Sequence, residues 1–131
     1  MQYGISKDGL LVTLEANEDH TGKEGYGVVF SSGKAALQTS DTALTTEGVI
    51  TDGAASGSKS SVALNGINAV VYVKLSGTPG TVNPGTHLGN HTDGSWKAAA
   101  TNKNWSAVAL ETGAANALIK ARLLSQPLAK S

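Results

Sequence analysis

From residue 118 to 124 the chain reads Leu-Ile-Lys-Ala-Arg-Leu-Leu, in which Ile119, Ala121 and Leu123 alternate with Lys120 and Arg122. A period of two puts the three apolar residues on one face and the two cations on the other, as in a half-buried strand. Upstream, the apolar run from Ala107 to Leu110 meets Glu111, Thr112, Gly113, Ala114, Ala115 and Asn116, a cluster of small side chains and turn formers. Residues 104–124 therefore predict two strands joined by a turn. A helix over residues 113–124 competes, because Ala, Leu, Lys and Arg have high helix propensity. Gly113 and Asn116 interrupt the front of that window, and the strand reading is preferred.

The same order recurs in residues 48–64, where Val49 and Ile50 are followed by Asp52, Gly53, Ala54 and Ala55, then by Val62 and Leu64 on one face of a second strand. Val49 to Leu64 and Val108 to Leu123 span equal intervals, although the Gly-Ala-Ala slips by one position. Two accounts fit: an internal repeat, or the general likeness of any two hairpins in an all-β protein.

The remaining segments also read as short strands. Residues 9–17 alternate Leu11, Thr13 and Glu15 with Val12, Leu14 and Ala16. Residues 26–30 meet Ser32-Gly33 and then residues 34–39, a hairpin signature. Asn65-Gly66 and Asp93-Gly94 predict tight turns, the latter with a return strand over 95–100. Residues 69–75, dense in β-branched side chains, are expected in the centre of the sheet, with Val71, Val73 and Leu75, or the alternates Val70 and Tyr72, in the core. Residues 76–85 hold two Pro-Gly pairs and predict a loop. Residues 40–47 are polar, with room for a short helical turn at most. Pro127 is expected to discourage pairing of the tail from 125 to 131. The prediction is a mainly β fold, a small single-domain β-barrel or β-sandwich of short antiparallel strands with little helix, over residues 1–131.

Composition narrows the functions. There is no cysteine, which excludes disulfides, zinc-thiolate sites and thiol nucleophiles. Ten Lys and Arg balance ten Asp and Glu with no long run of either sign, so nucleic acid is not an expected partner. No secretory signal or bilayer-length apolar run is present, so a membrane is not an expected partner either and synthesis in a host cytoplasm is expected. Charged residues make up only 15%, against ~25% in soluble domains, and a weakly charged surface is easily dehydrated against a protein partner.

Residues with catalytic or ligating chemistry are present but lack the spacing that such sites require. His87 and His91 stand four apart, as metal ligands do on a helix, but Gly85, Gly89 and Asn90 disfavour a helix, and solvated loop histidines are the simpler reading. Glu18, Asp19 and His20 share the composition of a catalytic set, with a solvated loop as the alternative. The glycines of residues 22–27 precede a strand and open no helix, so they cradle no phosphate. No serine lies in a Gly-x-Ser-x-Gly elbow. An enzyme is not expected, nor is a cofactor or a metal. Trp96 and Trp105, or Tyr72, would suit a sugar platform, against core packing as the alternative for the two tryptophans.

The end of the chain, Ala-Val-Ala-Leu-Glu-Thr-Gly-Ala-Ala-Asn-Ala-Leu-Ile-Lys-Ala-Arg-Leu over residues 107–123, resembles the C-terminal signature of the capsid cement, or head decoration, proteins of tailed bacteriophages. The similarity covers residues 43 to 124 and takes in the strand order from Gly48 to Leu64, Val70 to Ser76, the Val82 to Gly85 loop and the Asp93-Gly94 hairpin. It implies a non-enzymatic virion protein on the outer capsid surface, stabilising the assembled shell. Its implied partners are the major capsid protein and itself, as a homo-oligomer with a trimer favoured over a dimer. An arm at residues 1–10, with Gln2, Tyr3 and Ile5, is expected to add to a neighbouring sheet. Lys120 and Arg122 are expected to meet carboxylates on a capsid or a sister subunit, with plain solubility as the alternative. The competing function is a carbohydrate-binding β module, such as a small head-fibre or tail component.

Overall fold

A computed structural model describes residues 10–40, 46–65, 69–100 and 104–129, and within them the chain forms ten strands and no helix. They are β1 (Leu10–Glu15), β2 (Gly27–Ser31), β3 (Lys34–Leu37), β4 (Gly48–Asp52) and β5 (Lys59–Leu64), then β6 (Val70–Lys74), β7 (His87–Asn90), β8 (Trp96–Ala98), β9 (Asn104–Ala109) and β10 (Leu118–Ala129). The strands make two antiparallel five-stranded sheets, ordered β1-β5-β4-β2-β3 and β6-β10-β9-β7-β8. The arrangement is a sandwich rather than a closed barrel: the margins of each sheet meet at a single parallel bridge rather than along a ladder, Ala16 to Ala35 in the first, where the Glu15–Lys34 ion pair adds to it at 2.9 Å, and Leu75 to Trp96 in the second.

Adding five to each strand number of the first sheet gives the second, so the sequence repeat is the centre of a topological repeat that spans all ten strands. The equivalence holds bond by bond. Gly25 N–H donates to the Ile50 carbonyl as Gly85 N–H does to Ala109, and Ala16 N–H donates to Ser58 as Leu75 N–H does to Ala117. Positive φ recurs at Gly25 and Gly85, and at Gly57 and Asn116. Each repeated hairpin, β4–β5 and β9–β10, supplies the second and third strands of its sheet, where both backbone edges are paired.

The faces show why the pattern was readable. Val71, Val73 and Leu75 are fully buried, as are Ala121 and Leu123, with Ile119 nearly so. In the first sheet Val62 and Ile50 sit over Val12, Leu14 and Val28 in a core of that half's own. On its opposite face Val49 and Ala63, with Leu11 beside them, join the core of the second half. The two halves are further joined by a buried polar chain, in which the Gln38 amide donates to the Thr46 hydroxyl at 3.3 Å and that hydroxyl donates to Asn90 Oδ1 at 2.9 Å.

Two sequence expectations are corrected. The strand of residues 69–75 is not central: β6 is the margin of its sheet. Val71 and Val73 are nonetheless buried, and the other half covers the strand's outer edge, where Lys74 N–H donates to the Gly25 carbonyl at 3.0 Å. Nor does Pro127 end the pairing, since β10 continues to Ala129, with Leu128 opposite Trp105 and Ala129 opposite Asn104. A register shift between Leu123 and Leu128 takes up extra residues of β10, and such a bulge accommodates a proline that has no N–H for the ladder. The expected turn at Gly66 and the helical turn in residues 40–47 fall wholly or mainly outside the described residues.

Candidate functional site

Three places gather side chains with chemical potential. The first is a hydrogen-bonded line of Glu18, His20 and Ser60. His20 Nε2 lies 2.9 Å from Glu18 Oε2, and its Nδ1 lies 3.1 Å from Ser60 Oγ. The order of carboxylate, imidazole and hydroxyl is that of a hydrolase triad. Its surroundings are not, because His20 and Ser60 are both fully buried. The Ser60 oxygen already accepts the Ala54 N–H at 3.0 Å, and Glu18 Oε1 accepts the Leu37 N–H at 2.9 Å. With every partner internal, the line fastens residues 17–25 against the β4–β5 turn. The expectation of a solvated loop is thus corrected for His20. Ser60 lies 40 residues away in the chain, so no local signal announced the contact.

The second place is a cavity of about 150 Å³ at the junction of the halves, walled by Glu24, Gly25, Ile50, Thr51, Tyr72 and Leu118. Ligand pockets usually run from ~300 Å³ upward, so this one holds little more than a few waters.

The third is the outer face of the second sheet. Register places Val70, Arg122, Val108 and His87 in one row across β6, β10, β9 and β7, and Tyr72 beside Lys120 in the next. Lys120 is exposed and Arg122 half-buried, while Ile119, Ala121 and Leu123 point inward as the alternation predicts. The Lys120 N–H is held by Glu111 Oε2 at 2.9 Å. At the margin of this face His87 stacks on Trp105, ring centroids 3.7 Å apart and planes 4° from parallel. Leu110 is exposed nearby.

The aromatic residues divide accordingly. Trp96 is core, its Nε1 donating to the Gly25 carbonyl at 2.9 Å. Trp105 is half-buried with one ring face taken by His87. His87 is therefore a strand residue, not a loop one, and His91 sits in the β7–β8 turn beside Asp93 at 3.5 Å. Among the described residues no group of three or more His, Asp or Glu is placed to hold a metal. Burial works against the Asp93 carboxylate, but hydrogen bonds from the Ser95 hydroxyl and amide outweigh it and hold the carboxyl below its usual value. Gln2, Tyr3 and Ile5 lie outside the described residues, so the structure brings together only Lys120 and Arg122 of the expected contact set.

No protein family and no curated protein matches the sequence. The fold does have a relative among solved structures. The head fiber gp8.5 N base of bacteriophage phi29 is similar with a TM-score of 0.66 at 14% identity, over 92% of this chain and 98% of that one. At that identity the likeness is one of fold.

Proposed function

We propose that the chain is a non-enzymatic structural protein of a phage head, which binds the outer surface of the assembled capsid and stabilises it. The observation that supports this reading is the two-way coverage, 92% of this chain and 98% of the other, with a phage head fiber base. It agrees with the resemblance of residues 43–124 to capsid cement proteins. The physical features suit the role. Two cores and few charges leave a rigid body with dehydratable faces, and engagement of several capsid subunits at once would convert modest contacts into a tight grip. The major capsid protein is the proposed partner, with Lys120 and Arg122 contributing to contact with it or with a sister subunit.

The carbohydrate-binding alternative is weakened by the fate of its platform. Trp96 is sealed in the core and Trp105 gives one ring face to His87, which leaves Tyr72 at a cavity too small for most ligands. Co-sedimentation with purified capsids, run beside a glycan array, separates the two. Saturable pelleting with capsids and a silent array support the capsid role; glycan binding with no pelleting overturns it.

A further inference from the structure

The two halves are joined face to different face. The row Leu11, Ala63, Val49 of the first half is applied to the second. Its equivalent in the second half, the row Val70, Arg122, Val108, is half-buried and looks outward. Every marker of this contact repeats the asymmetry. A Cβ on Gly25 would meet the Lys74 nitrogen at 2.6 Å, whereas one on the equivalent Gly85 would meet nothing within 4 Å. Thr51 is 5% exposed, and its equivalent Leu110 is 41% exposed.

The receiving side shows the converse. Val71 and Val73 of the second half are fully buried, but their equivalents Val12 and Leu14 in the first are only half-buried. Gly94 in the β7–β8 turn is walled by Leu37 and Tyr26, while Gly33 in the equivalent β2–β3 turn stands in open space. Asn90 is 4% exposed, and its equivalent Phe30 is 47% exposed. The chain thus carries one used and one unused copy of each side of the same joint. A joint of unlike faces, repeated from chain to chain, closes into a ring or runs on as a filament.

We infer that the unused faces take a second copy of this chain, head to tail, in the manner of the joint within the chain. The outer face at Val70, Val108 and Leu110 of one copy covers the open end at Val12, Leu14 and Phe30 of the next. The equivalences specify its centre. Within the chain Asn90 is held between Thr46, whose hydroxyl donates to it at 2.9 Å, and Gly27, whose added Cβ would meet its amide at 2.4 Å. Thr46, Gly27 and Asn90 correspond to Trp105, His87 and Phe30. Between copies the polar contact becomes an aromatic one, with exposed Phe30 laid against the His87–Trp105 stack. Arg122 replaces Ala63 in the row and adds charge there, while the Glu15 carboxylate on the receiving edge strand is already paired with Lys34 at 2.9 Å. The inference stands apart from the capsid reading, since it concerns the free protein.

The test is light scattering coupled to size exclusion on the full chain over a dilution series, with Trp fluorescence as a second readout. The unaltered chain should associate, with a blue shift from Trp105 that Trp96, already buried, cannot supply. Phe30→Arg and Leu110→Arg, each on an exposed site, should both be folded monomers. Mixed together they should form a one-to-one dimer and stop, because each retains the face that the other has lost. An unaltered chain that stays monomeric at every concentration overturns the inference. So does a pair of variants of which only one fails to associate, the mark of a like-to-like contact. Association seen only after residues 2–7 are deleted also overturns it, by showing that the open end is occupied by the chain's own start.

Discussion

Gly25 and Gly85 form a matched pair for measuring what joins the halves. Both sit at positive φ, 89° and 94°. Replacing either with Ala carries the same backbone penalty, about 1–2 kcal/mol for a side chain in the left-handed region. At Gly85 the new methyl enters open space and the cost ends there. At Gly25 it strikes the Lys74 nitrogen and Leu118 Cδ2, at 2.6 and 2.8 Å. The backbone must shift, and the carbonyl it carries accepts both the Lys74 N–H and the Trp96 indole N–H. Each buried donor left unsatisfied costs ~1–3 kcal/mol, so Gly25→Ala should lose at least about 2 kcal/mol more than Gly85→Ala. With a urea slope of ~1–3 kcal/mol/M, that difference appears as a midpoint lower by roughly 1 M. The assay is urea unfolding followed by Trp fluorescence, in dilute solution where copies do not associate. Equal midpoints for the two variants would refute the argument that the Gly25 turn is the clasp between the halves.

Other expectations follow from the same contacts. Val73→Asp should cost at least about 3 kcal/mol, since an unpaired carboxylate would be buried; a melting temperature like the parent's would remove Val73 from the core. His20→Leu should cost about 1–3 kcal/mol by leaving the buried Ser60 hydroxyl without an acceptor, and thermal unfolding reads it directly. The Asp93 carboxyl is held below 3.8, so its contribution is present above that pH and is lost as pH falls through the lowered folded value. An acid-unfolding curve of Asp93→Asn should therefore be flatter below pH 3.8 than that of the unaltered chain. Replacing Lys120 and Arg122 together with Ser should leave the fold within ~0.5 kcal/mol and reduce occupancy on capsids or self-association, with the parent's binding weakening as salt rises. Unchanged binding by that double variant returns both cations to the solvated surface.

What the sequence disclosed and what it withheld divide along the range of the interactions. Alternation at Ile119, Ala121 and Leu123, and the turn signatures Ser32-Gly33 and Asp93-Gly94, depend on neighbours within a few residues, and each element is where its pattern puts it. β-branched density marked residues 69–75 as core without deciding between Val71, Val73 and Leu75 and the alternates Val70 and Tyr72, and it could not tell a central strand from a margin covered by the other half. Pro127 forbids one backbone bond, yet it falls within the register shift of β10, which absorbs that loss. The His20–Ser60 contact joins residues far apart in the chain and has no local signature. The repeat was visible only in its central hairpins, because exposed and half-exposed positions differ between the halves while the hydrogen-bonding order is alike. Lys120 and Arg122 were legible as an outward pair; that the row beside them matches a face already used inside the chain required the structure.

The role proposed for this chain is to strengthen a phage shell from outside. Its most direct measurement is genome release on heating, followed with a DNA-binding dye, from the same preparation of filled capsids with and without saturating protein. Release should shift to higher temperature in proportion to occupancy, and the monomeric variants Phe30→Arg and Leu110→Arg serve to ask whether association contributes. Capsids that bind the protein stoichiometrically yet release their genome at an unchanged temperature would contradict the stabilising role.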